Sequence, residues 1–412
     1  MVQLLFKFNI FFALFFVLTL PVFGIEDIVI ESEENKSTIF DSIITSPYAL
    51  GDYKGFRSKL EDNGINIQSS YMINAFVMNN REKKSGKGTY QGLYNLSLDL
   101  DTEKLKLYKG GKLHILYQIG NSGINSMQFL NSYSDVSSYD PTQSINQLSE
   151  LYYEQSIKDD LLNIKIGKQD ANVDFQALDS GFEFLNLSFS LIDNTPMPVF
   201  PSQQMGVRVR VKLPKDIYIQ DGFYDGNLDI GATPKSFFTG ENNYLNMAEI
   251  YKYVNFKGKE GKYLVGNWLK TGKYETSKDT TERNNYGFYA GFDQKLFDRF
   301  SDKSGGLNLF GQFGYAKNTV NDVPFYGGAG LVFKGITEKR KGDSIGIAFA
   351  WHQFSKQLHD VENRTSEKVL EIFYKIKVTE FLYIQPDFQY IINPGGNQKD
   401  SFAIGVRSCI VF

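Results

Sequence analysis

Charged side chains recur at every second position in several segments that are otherwise apolar. In the run 207–213, Arg208 and Arg210 alternate with valines, and Glu371 and Lys375 stand opposite apolar neighbours further along the chain. Alternation with a period of two predicts strands with one apolar face and one charged face. Fixed charges on the water-facing side of a channel set its selectivity between anions and cations, and they form hydrogen bonds with polar solutes.

Few residues offer catalytic chemistry. The sequence contains only three histidines as candidate bases, His114, His352 and His359, and His114 lies in an alternating segment. The segment 342–346, GDSIG, matches the GxSxG pattern, but a charged turn leads into a strand there, whereas that motif needs a strand-to-helix elbow. No HExxH, Walker-type or paired-cysteine motif occurs in the sequence. We therefore expect neither an enzyme nor a cofactor or metal site.

Charge and cysteine content exclude further classes. The 44 Lys and Arg residues stand against 47 Asp and Glu residues, so no basic excess points to nucleic acid as a partner. The only cysteine, Cys409, rules out an internal disulfide. It lies in an alternating apolar run, and we interpret it as a buried filler rather than a reactive thiol.

The elements that carry the charged residues are predicted to be strands. Sixteen segments alternate and are separated by turn residues, and most approach the roughly 9 to 11 residues of a tilted membrane strand. A soluble sandwich also alternates, but it has no reason to keep charge on one side of strand after strand. We therefore predict an all-β fold, a closed antiparallel transmembrane β-barrel of about 16 strands over residues 65–412. The segments are 67–77, 94–100, 113–119, 148–155, 162–168, 207–213, 217–224, 248–257, 262–270, 286–293, 307–315, 327–334, 345–351, 370–378, 382–392 and 402–412.

Three segments are predicted to precede the barrel. Residues 1–24 have a short apolar core after one lysine and end in a small residue, which is typical of a cleaved signal peptide. Residues 25–47 form an acidic leader. Residues 48–64 are predicted to contain a short helix, with Asp52 as its cap and Gly64 as its stop.

The last strand supports export to the bacterial outer membrane. The chain ends in FAIGVRSCIVF, and its terminal Phe412 resembles the assembly signal of outer-membrane barrels. Together with the signal peptide and the strand count, this ending predicts that localisation. Aromatic residues near strand ends are expected to form the interfacial girdles, namely Tyr94, Tyr286, Phe313, Tyr315, Phe349 and Trp351.

Five segments resemble the OprB family of carbohydrate-selective porins, and they occur in the family's order over about residues 48–412. The most specific is IQPDFQYIINPGG at 384–396. Val211 stands where the family often has an aromatic residue, and the leader has no recognised counterpart. The other four segments are LGDYKGFRSKLEDNGI at 50–65, LYYEQSIKDDLLNIKIGKQD at 151–170, MGVRVRVKLPKDIYIQDGFYDGN at 205–227 and GFYAGFDQKLF at 287–297.

The resemblance implies a sixteen-stranded porin through which monosaccharides and other small solutes diffuse. It also implies loops that fold into the lumen, and segment 170–205, with Phe182, Phe184 and Phe189, is the expected constriction loop. Charges of both signs are expected to face the lumen. The expected pore-lining residues are Arg208, Arg210, Glu154, Lys165, Glu371, Lys375, Asp387, Gln389 and Arg407.

Two other functions use the same fold, because a barrel alone does not define an activity. One is an outer-membrane barrel enzyme, and the other is an adhesive or structural barrel without a selective channel. The stretches 120–147 and 170–205 are the only long loops, which favours a channel over an adhesin. The expected partners are outer-membrane lipid, diffusing sugars and two further copies in a homotrimer.

Overall fold

The barrel closes through its first and last strands. The computed structural model describes residues 46–140, 143–231, 243–276 and 280–412. Each described strand pairs antiparallel with its neighbours in sequence, and β1 pairs with β16, so all sixteen strands form one closed sheet. The strands are β1 (Ile65–Asn80), β2 (Ser85–Asp101), β3 (Gly111–Asn121), β4 (Ile145–Ile157), β5 (Leu162–Gln169), β6 (Gln204–Leu213), β7 (Ile217–Asp225), β8 (Tyr244–Phe256), β9 (Lys259–Glu275), β10 (Thr281–Phe297), β11 (Gly306–Ala316), β12 (Phe325–Lys334), β13 (Ser344–Gln353), β14 (Ser366–Lys377), β15 (Leu382–Ile392) and β16 (Ser401–Val411).

Each of the sixteen predicted segments overlaps one observed strand, so the predicted fold class is confirmed. Several strands are longer than predicted. β1 has 16 residues, and β2, β9 and β10 each have 17. A membrane strand needs only roughly 9 to 11 residues, so these hairpins extend beyond the apolar band.

Helices are short wherever the chain is described. They are α1 (Phe56–Asp62), α2 (Ser126–Leu130), α3 (Leu187–Ser190) and α4 (Lys356–Glu362), and the 3-10 turns are Gly181–Glu183, Glu338–Arg340 and Pro394–Gly396. Among the described residues, no helix has both the length and the apolar character needed to span a bilayer.

The helix predicted within 48–64 is present but shorter, because α1 begins only at Phe56. The cap residue is Gly55 and not Asp52 as predicted. The Asp52 carboxylate nevertheless accepts hydrogen bonds from the Ser58 amide at 2.8 Å and from the Ser58 hydroxyl at 2.7 Å. Gly64 follows with φ +85°, the left-handed conformation that ends the segment. The predicted signal peptide, residues 1–24, and all but the last two residues of the predicted leader lie outside the described residues.

The two ends of the barrel differ in their connections. At one end the turns are short, and Lys257 and Gly258 join β8 to β9 with positive φ at both positions, as a two-residue hairpin requires. The end of β16 lies here too, where the Arg57 Nη2 donates a hydrogen bond to the Phe412 carbonyl at 3.0 Å. The long connections 122–144 and 170–203 leave from the opposite end.

The two faces of the wall alternate as predicted. In β6, Arg208 is 1% exposed and points inward, whereas its neighbour Val209 is 37% exposed and points outward. The outer face is rich in exposed apolar side chains such as Val265, Phe288 and Ile404. All six predicted girdle aromatics lie on this outer face.

The connection between β5 and β6, residues 170–203, folds inside the barrel; we call it the constriction loop. Its Phe175, Phe184 and Phe189 are fully buried against inward side chains of β7 to β14, including Tyr224 and Phe310. The prediction that this segment folds inward is confirmed. Phe182 differs, because it is 43% exposed.

A second connection also enters the barrel, and the sequence did not predict it. Residues 122–144 join β3 to β4, and we call them the second inward loop. Phe129, Leu130 and Val136 pack on Phe76 of β1, Ile391 of β15 and Ala403 of β16. The two inward loops also contact each other, because Leu185 of the constriction loop belongs to the same cluster and its carbonyl accepts a hydrogen bond from the Ser138 amide at 2.7 Å.

Candidate functional site

A buried carboxylate anchors the beginning of the constriction loop. Asp174 lies between two wall cations, with its Oδ2 2.7 Å from the Lys165 Nζ and its Oδ1 3.1 Å from the Arg208 Nη2. Burial by itself raises the pKa of Asp174, but the two cations outweigh burial and hold this pKa below its ordinary value. The loop is thus attached to β5 and β6 by an ionised, nearly dry triad.

A second buried carboxylate of the loop also lies between two cations of the wall. Glu183 bridges two lysines, with Oε1 2.6 Å from the Lys334 Nζ and Oε2 3.1 Å from the Lys375 Nζ. Burial raises the pKa of Glu183, and the two lysines more than offset it, so the pKa lies below its ordinary value. The Glu183 carbonyl also accepts a hydrogen bond from Gln385 Nε2 at 2.8 Å. This second clamp attaches the loop to β12, β14 and β15.

Inward acids of the wall hold the loop backbone between these clamps and directly after the second one. Glu249 on β8 accepts from the Gln176 amide at 2.9 Å, and Asp293 on β10 accepts from the Ser180 amide at 2.7 Å. Glu371 on β14 accepts from the amides of residues 185 and 186 at 2.6 and 2.9 Å. These hydrogen bonds fix three successive segments of the loop backbone to the wall.

The second inward loop is held in a similar way. Glu367 on β14 accepts from the Tyr133 amide at 2.8 Å, and Gln389 on β15 donates to the Val136 carbonyl at 2.8 Å. The Arg407 Nη2 of β16 donates to the Ser137 hydroxyl at 3.2 Å.

Within that loop, Asp135 accepts a hydrogen bond from the Ser126 hydroxyl. Burial, reinforced by the nearby Asp140, raises the pKa of Asp135 to about 7. Protonation of this carboxyl therefore occurs in the neutral pH range.

All nine residues predicted to line the pore belong to the inner wall, but they divide into two groups. Six are almost fully covered, mostly by the inward loops: Arg208, Lys165, Glu371, Asp387, Gln389 and Arg407. Three keep part of the side chain open to the lumen: Glu154 at 24%, Arg210 at 21% and Lys375 at 29% exposure. The sequence pattern gives the face of each residue but not the loop that covers it.

Sequence reasoning missed the loop anchors Asp174 and Glu183 and the wall acids Glu249, Asp293 and Glu367. The wall acids had a readable signal, because each alternates with outward neighbours in its strand. Asp174 and Glu183 had no such signal, because polar and apolar residues do not alternate in the loop segments that contain them.

A group of tyrosines lies beside Arg210 near the short-turn end. The rings of Tyr218 and Tyr251 stack with centroids 4.8 Å apart, and Tyr253 stands edge-on to both. Lys262 Nζ lies 4.8 Å from the centre of the Tyr251 ring, and the Arg210 guanidinium lies 5.9 Å from that of Tyr218. Aromatic faces next to charged hydrogen-bond donors form an amphipathic surface.

The three candidate histidines lie on different elements, His114 on β3, His352 on β13 and His359 on α4. His114 Nδ1 lies 2.7 Å from Asp99 on the neighbouring strand, and His352 is buried with its Nε2 3.0 Å from Asp193. Residues 342–346 form the end of a turn and the start of β13, so the GxSxG match lacks the strand-to-helix elbow. Among the residues that the structure describes, no group of three or more His, Cys, Asp or Glu could hold a metal ion.

The chain is similar to known proteins along most of its length. It is 23% identical to Porin B of Pseudomonas aeruginosa, over 89% of this chain and 92% of that protein. The high-pH structure of OprB from Pseudomonas putida has a TM-score of 0.80 at 21% identity, and the low-pH structure has 0.60 at 18%. Each structural match covers 89% of this chain and 99% of the other.

The match to a family model decides the assignment. Residues 85–412 match the model described as "Carbohydrate-selective porin, OprB family". This range includes fifteen of the sixteen strands completely, both inward loops and all nine predicted pore-lining residues. The chain is a porin of the outer membrane, and it belongs to the OprB family of carbohydrate-selective porins.

Proposed function

We propose that small sugars diffuse passively through this barrel and that the constriction loop sets the largest solute that passes. The attachment of the loop at Asp174 and Glu183 carries the proposal. A loop fixed by two buried ion-pair clamps and by backbone hydrogen bonds keeps one position, so it narrows the lumen by a constant amount.

The partly open side chains are proposed to contact the solute. Sugar hydroxyls need hydrogen-bond donors and acceptors, which Arg210, Glu154 and Lys375 supply, and the apolar face of a pyranose can lie on an aromatic ring. Tyr218 and Tyr253 lie beside Arg210 and keep part of their surface open. Solute recognition is therefore proposed for the short-turn half of the lumen.

The covered residues are proposed to act through the loops. Arg208, Lys165 and Glu371 have almost no exposed surface, so a passing sugar does not reach them. Their part is to position the constriction loop, and Gln389 and Arg407 do the same for the second inward loop. These are positioning residues of the filter.

The proposal is tested by planar-bilayer conductance of the purified protein. We expect stable ohmic steps of small unit conductance that decrease when a monosaccharide is added, and a weaker decrease for Arg210→Ala. A barrel that is folded, as shown by heat-dependent gel mobility, but that does not conduct would contradict the channel. Conductance without any response to sugars would contradict the recognition site.

We also propose that residues 1–24 direct export and are removed. The apolar core before the small Gly24 supports this proposal, and it predicts a mature protein that begins at Ile25. N-terminal sequencing of the protein from outer membranes tests it, and a chain that still begins at Met1 would contradict it. The homotrimer stays a prediction.

A further inference from the structure

We propose that Phe182 and Asp179 form the loop side of the sugar recognition site and favour ring-form sugars over acyclic polyols. This inference rests on the proposed function, because it assumes that sugars pass the wall at Arg210 and Tyr218. Both residues belong to residues 177–183 of the constriction loop, which we call the loop tip. Phe182 is 43% exposed although the loop folds inside the barrel, and Asp179 is exposed too.

The backbone of the loop tip is fixed to the wall at both ends and in the middle. The Ala177 carbonyl accepts a hydrogen bond from the Lys262 Nζ on β9 at 2.8 Å. Ser180 donates to Asp293 on β10 through its amide at 2.7 Å and through its hydroxyl at 2.9 Å. The clamp of Glu183 to β12 and β14 closes the tip. Side chains displayed by this segment therefore keep one position in the lumen.

The ring of Phe182 is the apolar part of the tip that stays in contact with water. Its amide donates to the Leu178 carbonyl at 3.3 Å, which closes a tight turn. Leu178 and Phe184 are buried, and a side chain at Gly181 would collide with the Phe189 carbonyl oxygen. Because its neighbours are packed, the exposed face of Phe182 is presented to the lumen.

The loop tip lies in the same part of the lumen as the tyrosine group. Lys262, which binds the Ala177 carbonyl, also lies 4.8 Å from the centre of the Tyr251 ring. Asp179 is within electrostatic range of Lys262 and of Tyr253, and such interactions weaken with distance. Tyr253 is itself partly open, at 48% exposure. The loop tip and the tyrosine group therefore border one passage.

These two side chains suit a pyranose. One face of a pyranose ring carries C–H groups that can lie on an aromatic ring, whereas an acyclic polyol has no such face. The Asp179 carboxylate accepts hydrogen bonds from the hydroxyls of either solute. Small-molecule sites combine aromatic walls with a few polar groups that fix orientation. Phe182 therefore distinguishes ring-form from acyclic solutes, and Asp179 binds both.

Block of single channels by two probes tests the role of Phe182. The probes are glucose, which is a pyranose, and mannitol, which is an acyclic hexitol, and the readout is the concentration that halves the conductance. For Phe182→Ala this concentration should rise about threefold or more with glucose and stay nearly unchanged with mannitol. Phe182→Tyr keeps the ring and should block like wild type. Phe182→Leu has a similar size without a ring and should resemble the alanine variant.

Two further changes serve as controls. Val173→Ala alters an exposed apolar residue of the same loop outside the tip, so its block by glucose should equal that of wild type. Asp179→Ala should weaken block by both probes, and Asp179→Asn, which keeps an acceptor, should restore most of it.

The outcomes separate this inference from the proposed function. Unchanged glucose block in Phe182→Ala, an equal rise for both probes, or loss of block in Phe182→Tyr would overturn the inference while leaving the sugar channel in place. A conducting wild-type channel that neither probe blocks would overturn the recognition site and this inference together.

Discussion

Arg208 and Asp174 form a buried ion pair that joins the wall of the barrel to the constriction loop. Their closest atoms, Nη2 and Oδ1, are 3.1 Å apart, and the two side chains are 1% and 8% exposed. Lys165 shares the same carboxylate. The alternation predicts that the Arg208 charge faces the lumen, but the constriction loop covers it. The position of the loop depends on the ion pair that Arg208 forms with Asp174.

Asp174→Asn should loosen the constriction loop. The change leaves Lys165 and Arg208 buried without their common carboxylate, and breaking a buried pair costs roughly 3 to 5 kcal/mol. We expect a folded barrel with larger and noisier single-channel conductance. Asp160→Asn is the control, because its partner Arg210 lies near the short-turn end and does not contact the constriction loop through this pair. The side chains of Asp160 and Arg210 are also more exposed than those of Asp174 and Arg208. Quiet, unchanged channels in Asp174→Asn would show that the clamp does not fix the loop.

Arg210 and Arg208 should differ in their effect on ion selectivity. Arg210→Ala removes a positive charge that is open to the lumen, so the reversal potential in a salt gradient should shift toward cations. Arg208→Ala should shift it less and should instead increase channel noise, because its charge is already paired with Asp174 and Glu154. The opposite ranking would mean that Arg208 is in contact with the permeating solution.

A charge on the outer face should harm insertion. Val209 points outward beside the inward Arg208, so Val209→Arg places a guanidinium in hydrocarbon at a cost of roughly 2 to 4 kcal/mol near the midplane. We expect a lower folded yield on refolding into lipid vesicles, while Val209→Ile refolds like wild type. Equal yields would mean that the two faces of β6 are interchanged.

The second inward loop should be less stable at higher pH. Burial raises the pKa of Asp135 from 3.8 to about 7, so the folded loop keeps a proton that the unfolded loop releases. This contribution is complete below about pH 4 and is lost as the pH rises through about 7. Hydrogen exchange of residues 126–138, corrected for intrinsic rates, should show weaker protection at about pH 7.5 than at about pH 4.5.

Asp135→Asn is the matched variant for that measurement. Its side chain cannot ionise, so the difference in protection between the two pH values should shrink. An unchanged difference would assign the pH dependence to other buried acids, of which Asp170 is one, since burial also raises its pKa to about 7.

The strands could be predicted because a membrane barrel imposes a local rule. Lipid outside and water inside require apolar and polar residues to alternate along a strand. The alternation alone therefore predicts that Val209 faces outward and Arg208 faces inward. Strand ends were less predictable, since the extra residues of β9 and β10 lie beyond the apolar band, where no such rule applies.

The interior could be predicted only in part. Long connections were visible, but which of them enters the barrel depends on contacts between residues far apart in sequence. Phe129 packs on Phe76 and Ala403, which local patterning cannot show. For the same reason Phe182 was expected inside with Phe184, although only Phe184 is buried. The alternation could not show that Arg208 is covered, because Asp174 belongs to an irregular loop.

Liposome swelling with sugars of increasing size tests the central claim, that a fixed constriction loop makes this barrel a sieve for small sugars. Vesicles with wild-type protein should swell quickly in a monosaccharide and slowly in a trisaccharide. The double variant Asp174→Asn and Glu183→Gln, which releases both clamps, should remove most of that difference while remaining folded. Equal swelling of wild-type vesicles in both sugars, or an unchanged difference in the folded double variant, would contradict the claim.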